Sequence, residues 1–267
     1  MGRGEKLNNI YIYSCYDKKT KPYVNFLVKS CEKFKSNNNK IIYKLYNIDE
    51  IINPKINYEN GSIKHAMILN NFINDFKNKK YVIIIDADIA ILYPNWDDVV
   101  VKYLNEFKCF GFSRPKEKGF PSVLFFAFNT NKIDINKLDF MPKVNSNNSC
   151  NRYKINDEFE SIFRKRPIGS NVKCDTGYLL PIIFEGNGFS LDCVLSSDKN
   201  HLLPINNNEE IKICNEKKEH QCEWHYNNLI FGTHKQASRS HEINSKYGNC
   251  WVNRIRKYTI NKFNLSI

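Results

Sequence analysis

A chain of 267 residues with 42% hydrophobic and 13% aromatic side chains can bury a sizeable core, which excludes a disordered or fibrous protein. Its formal charge of +12, from 40 Lys and Arg against 28 Asp and Glu, favours anionic partners. The basic residues are spread along the chain in no zinc-finger, homeodomain or RNA-recognition pattern, so no specific nucleic-acid partner is expected.

In chain order, Asn9 to Tyr13 reads as a first strand running into a polar turn at Ser14, Cys15, Tyr16 and Asp17. Tyr23, Phe26, Leu27, Ser30, Cys31 and Phe34 recur at helical spacing and end in an Asn-rich loop. Residues 41–46 form a second strand candidate. Ser62 is then read as the N-cap of a helix continuing through Met67, Phe72 and Phe76. Lys64 and His65 fall in its first turn, the end of a helix that attracts anions.

The most informative stretch is residues 81–92, Tyr-Val-Ile-Ile-Ile-Asp-Ala-Asp-Ile-Ala-Ile-Leu. An uncharged run of β-branched residues reads as a strand buried on both faces. Asp86 and Asp88 then project to one side with the small Ala87 between them. Two adjacent carboxylates repel and resist desolvation, so the pair points to a divalent cation, and the end of a strand is where open α/β sheets bind ligands. The plainer reading is a solvated strand end entering a turn.

The apolar strand, the Asp-x-Asp and the following turn at Tyr93-Pro94-Asn95 resemble the DxD element of GT-A fold glycosyltransferases, which use nucleotide sugars. The resemblance implies an α/β fold with a mixed, mostly parallel central sheet flanked by helices, as a single domain over 1–267. Its nucleotide-binding half would be 1–100, its sugar and acceptor half 101–250, and its tail helix 251–267. It implies a UDP- or GDP-sugar donor, a glycan or other hydroxyl acceptor, and a divalent metal, Mn2+ before Mg2+. Ser14, Tyr16 and Asp17 would lie near the base and ribose, and Lys64 would contact the donor diphosphate unless it is only a surface lysine.

Beyond the aspartates, Trp96-Asp97-Asp98 begins a helix with acidic residues where its dipole prefers them. Residues 109–115 and 119–130 read as strands, the second ending at Asn129, which the resemblance places near the donor sugar. Residues 142–152 have loop composition, and 158–163 suggest a short helix. Asp175 reads as the N-cap of an apolar helix that Pro181 would kink and Gly186 or Gly188 would end. By resemblance Asp175 is also the candidate catalytic carboxylate, either the base of an inverting reaction or a substrate contact in a retaining one.

Residues 229–239 form a strand ending at His234. The resemblance makes His234 the third protein ligand to the metal beside Asp86 and Asp88, with Lys235, Ser238 and Arg239 meeting the diphosphate together with Asp86. Residues 251–263 carry a basic amphipathic pattern that packs on the domain or rests on an anionic membrane surface, packing being favoured. No apolar run reaches the length of a membrane span, and no signal peptide is visible, so a cytoplasmic location with nine reduced cysteines is expected. Cys214, His220, Cys222 and His225 are weighed as a zinc set, but they lack the usual C-x-x-C spacing.

Two rival readings remain. Haloacid-dehalogenase-like phosphatases also place Asp-x-Asp after an apolar strand, though Ala90 stands where they carry Thr or Val. A non-catalytic glycan- or nucleic-acid-binding protein could keep the same fold.

Overall fold

The computed structural model describes residues 7–51, 61–114, 119–141, 176–177, 179–195, 200, 202–203, 221–235 and 246–267, with backbone alone at 61–64, 221 and 246–250. The described strands are β1 (Asn8–Tyr16), β2 (Asn39–Asn47), β3 (Tyr81–Ile85), β4 (Ile89–Ile91), β5 (Cys109–Phe112), β6 (Ser122–Asn129), β7 (Gly188–Leu191), β8 (Cys193–Leu195), β9 (Gln221–Tyr226) and β10 (Leu229–Lys235). The described helices are α1 (Lys21–Phe34), α2 (Ile48–Ile51), α3 (Gly61–Asn71), α4 (Ile73–Phe76), α5 (Trp96–Glu106), α6 (Leu180–Ile183) and α7 (Lys246–Phe263).

A six-stranded sheet runs in the order β2-β1-β3-β6-β5-β7. The pairs β1 with β2, β1 with β3 and β5 with β7 are parallel, and β6 alone runs against its neighbours. The architecture is therefore the α/β one expected, a mostly parallel sheet flanked by helices. Strand alternation divides its core into two layers. Ile10, Ile12, Ile83, Ile85 and Phe125 face α1, α5 and α7, where Leu27, Trp96, Val100, Trp251 and Ile255 are buried. Tyr13, Val82, Ile84, Phe126 and Phe128 face α3 and α4, where Ala66, Leu69 and Phe76 are buried. Every residue of β3 is buried, as an uncharged run covered on both sides must be.

The apolar run does not stay in one sheet. Asp86 still donates its backbone N–H to Leu124 at 3.0 Å, after which Ile89 turns back to bond Asp86 at 3.3 Å. The chain then enters a second, four-stranded antiparallel sheet in the order β4-β10-β9-β8. β4 pairs with β10 so that Ile89 stands opposite His234. The two aspartates thus occupy the crossing point between the sheets, at the carboxyl end of β3.

Several local expectations change. α3 begins at Gly61, so Ser62 lies within its first turn instead of preceding it as a cap. Pro181 sits at the start of α6, where a missing N–H costs nothing, and it therefore does not kink the helix. The acidic start of α5 does more than suit a dipole. Asp97 is fully buried and accepts hydrogen bonds from the Ser36 backbone, the Ser36 hydroxyl and the Asn39 amide at 2.7, 2.7 and 2.9 Å. α7 packs on the core: Trp251 meets Phe26 and Tyr23, and Phe263 meets Phe34. No helix among the described residues is long and apolar enough to cross a membrane.

Candidate metal centre

Three side chains distant in sequence meet at the crossing point. Asp86, Asp88 and His234 each bring one ligand atom within 4.8 Å of the others, and no other such group of three occurs among the described residues. Strand pairing is the cause. The backbone of Lys235 donates to the Asp88 carbonyl at 3.0 Å, extending the β4–β10 ladder by one step and holding the turn against the strand that carries His234.

The imidazole Nε2 of His234 lies 3.2 Å from Asp88 Oδ1. Burial by itself would lower the pKa of this ring. The charge and hydrogen bond of Asp88, a hydrogen bond with Cys222 and the charge of Asp86 outweigh burial, and the pKa is pushed up to about 10. The raised pKa favours a proton on His234, which would offset one of the two carboxylate charges. A divalent ion would bring two positive charges where the proton brings one, and two carboxylates with one imidazole are a mostly oxygen donor set that manganese can take. The residues present therefore fit the metal they are expected to hold.

Around this centre, Cys15 borders Asp86, and its thiol is pushed up to about 12 by burial first and the Asp86 charge second. Ser14, the residue before it, points to the other face of β1 and is buried with its hydroxyl unsatisfied, the one buried side-chain nitrogen or oxygen among the described residues without a hydrogen-bond partner. Tyr16, the last residue of β1, is half-buried against the core. Asp17 shapes the local chain, because its carboxylate accepts from the backbone and hydroxyl of Thr20, both at 2.8 Å, and forms the turn into α1. Lys235 is buried at the end of β10. Lys64 lies in the first turn of α3, on a part of that helix described by its backbone alone. Asp175, Ser238 and Arg239 lie outside the described residues, as do Cys214 and His220.

Asn129 is not near the aspartates. It pairs with Tyr81 at the start of β3, whereas Phe125 pairs with Ile85 beside Asp86. Its amide donates to Leu104 and its side-chain oxygen accepts from Asn131, so it closes a strand and a turn. Of the proposed zinc set, Cys222 and His225 sit three apart on β9 and face opposite sides, with His225 held 2.9 Å from the buried Glu223.

Two neighbours of the centre stand out in the sequence without being assigned to it. His65, on α3, places Nε2 3.9 Å from Asp86 Oδ1. It follows Lys64 directly, so helical position draws attention to the pair without choosing between them. Cys222 reaches His234 only because of a register shift in the β9–β10 hairpin.

No family model and no curated protein matches the chain. Among solved structures it is similar to a glycosyltransferase involved in the glycosylation of the major capsid of PBCV-1, with 12% identity, a TM-score of 0.31, and coverage of 46% of this chain and 60% of that one. It is also similar to A197 from STIV, with 12% identity, a TM-score of 0.30, and coverage of 53% and 73%. A third is the glycosyltransferase GlyE of Streptococcus pneumoniae TIGR4, with 13% identity, a TM-score of 0.37, and coverage of 69% of this chain and 45% of that one. The chain thus spans less than two thirds of the first and third of these proteins.

Proposed function

We propose that the chain is a metal-dependent glycosyltransferase that moves a sugar from a UDP- or GDP-sugar to an acceptor hydroxyl, the acceptor being a glycan. The observation that carries this reading is the convergence of Asp86, Asp88 and His234 at the carboxyl end of a buried strand. A Mn2+ or Mg2+ ion bound there supplies positive charge to the diphosphate as it departs.

The chain's own residues would do the rest. Asp86, Asp88 and His234 would hold the cation, His234 as the neutral imidazole. Ser14 offers a buried, unsatisfied hydroxyl at the end of β1, and a ligand polar group there would remove a desolvation cost of about 1–3 kcal/mol. Tyr16 and Asp17 border the same strand end. Lys64, Lys235, Ser238 and Arg239 are the proposed diphosphate contacts. The acceptor oxygen forms the new bond to the anomeric carbon, and the electron pair of the broken bond leaves with the diphosphate. In an inverting reaction, Asp175 takes the acceptor proton.

The test is cation-dependent hydrolysis or transfer with a panel of UDP- and GDP-sugars, repeated with Asp88→Ala and His234→Ala. Turnover of a nucleotide sugar that both variants abolish is the expected result. Hydrolysis of simple phosphate esters with no response to any nucleotide sugar would favour the phosphatase reading instead.

A further inference from the structure

His234 has a second partner that the proposed reaction does not use. Cys222 stands directly opposite it across the β9–β10 pair, so both side chains leave the sheet on the same face. The Cys222 side chain is buried at 1% exposure and hydrogen-bonds the imidazole. This pairing depends on an irregularity. Leu229 pairs with Tyr226 at the turn, and an unbroken count from there would set His234 opposite Gln221. The shift between Ile230 and Gly232 moves the partner by one residue and brings the thiol to the ring.

We propose that Cys222 is a positioning residue for His234: its sulfur accepts the proton-bearing Nδ1, which leaves the Nε2 lone pair facing Asp88 and a bound cation. A neutral imidazole carries one N–H, and the partner of one ring nitrogen decides what the other can do. Were the proton on Nε2, it would bond to Asp88 across the 3.2 Å gap and compete with the cation for the same carboxylate. A sulfur acceptor at the other nitrogen removes that competition. Trp224, whose ring centroid is 6.5 Å from that of His234, borders the imidazole and limits its freedom to turn away. The inference rests on the metal reading above and extends it to the tautomer of one ligand.

The experiment uses the full chain and Mn2+ alone, following free ion by electron paramagnetic resonance in wild type, Cys222→Val, Cys222→Ser and Asp88→Ala. Valine fills the buried space without a lone pair, whereas serine keeps an acceptor. Cys222→Val is expected to weaken Mn2+ binding roughly tenfold, the usual scale for loss of an outer partner to a ligating histidine. Cys222→Ser is expected to stay closer to wild type, even if its metal-free melting temperature falls further than that of the valine variant. Wild-type affinity in Cys222→Val, or equal losses in the two variants, overturns the role of the thiol while leaving the metal centre intact. Absence of binding in wild type, or unchanged binding in Asp88→Ala, overturns the metal centre and this inference with it.

Discussion

The Nε2 atom of His234 lies 3.2 Å from Oδ1 of Asp88, across the junction where β4 meets β10. One carboxylate comes from the turn after a central strand, the imidazole from a hairpin near the end of the chain. Burying ionisable groups costs free energy unless something compensates them. The proposed cation-binding role would account for why both are there.

Removing either side of the pair should therefore act on the ion before it acts on the fold. Asp88→Ala and His234→Ala are each expected to lower cation-dependent turnover roughly a hundredfold or more, because the charge stabilisation a metal supplies is worth several kcal/mol. Circular dichroism and melting curves taken with the assay check that the variants remain folded.

The protonation of His234 gives a pH dependence with a definite sign. Its pKa in the metal-free fold is raised from 6.5 to about 10: burial opposes the shift, and Asp88, Cys222 and Asp86 more than offset it. A group raised on folding contributes stability that is fully present below pH 6.5 and is lost as pH climbs through about 10. The melting-temperature advantage of metal-free wild type over His234→Gln should shrink across that window. Cation affinity should rise over the same window, because the proton must leave for the ion to bind. A constant gap between the two proteins would contradict the assignment.

Gly232 couples packing to the centre. A Cβ there would lie 2.5 Å from Cζ of Phe112, a ring already stacked on Trp224 at 4.3 Å between centroids. Gly232→Ala is expected to cost about 1–3 kcal/mol through overpacking. It should also weaken cation binding, because β10 must shift two residues before His234. Urea unfolding and an ion titration on the same sample measure both effects.

Asp97 supplies the contrast, a buried carboxylate with no part in the site. Its three hydrogen bonds tie the end of α1 and the start of β2 to α5. Asp97→Ala removes the acceptor of the Ser36 backbone N–H, while Asp98 still accepts from the Ser36 hydroxyl and the Asn39 amide, and is expected to cost about 1–3 kcal/mol in urea unfolding, with Mn2+ affinity unchanged in the folded fraction.

The parts of this architecture visible in the sequence are those set by local pattern. The uncharged run at 81–85, the helical spacing of α1 and the apolar strand that carries His234 each follow from side-chain periodicity. Long-range pairing has no such signature. Residues 81–92 give no sign that the chain changes sheets after Asp86, because Ile89 to Ile91 are as apolar as the strand before them. The left-handed Asn227 and Asn228 mark the hairpin turn, with φ of 48° and 61°, but the shift that brings Cys222 to His234 depends on how β10 packs. The place of Asn129 is equally hidden, because a polar residue at a strand end looks the same whichever end of the neighbouring strand it meets.

The most direct measurement is anomalous scattering from crystals of the full chain soaked in Mn2+. A single manganese peak bonded to carboxylate oxygens of Asp86 and Asp88 and to Nε2 of His234 is the predicted result. A protein that binds no manganese at these three residues, or holds it elsewhere with His234 still paired to Asp88, would contradict it.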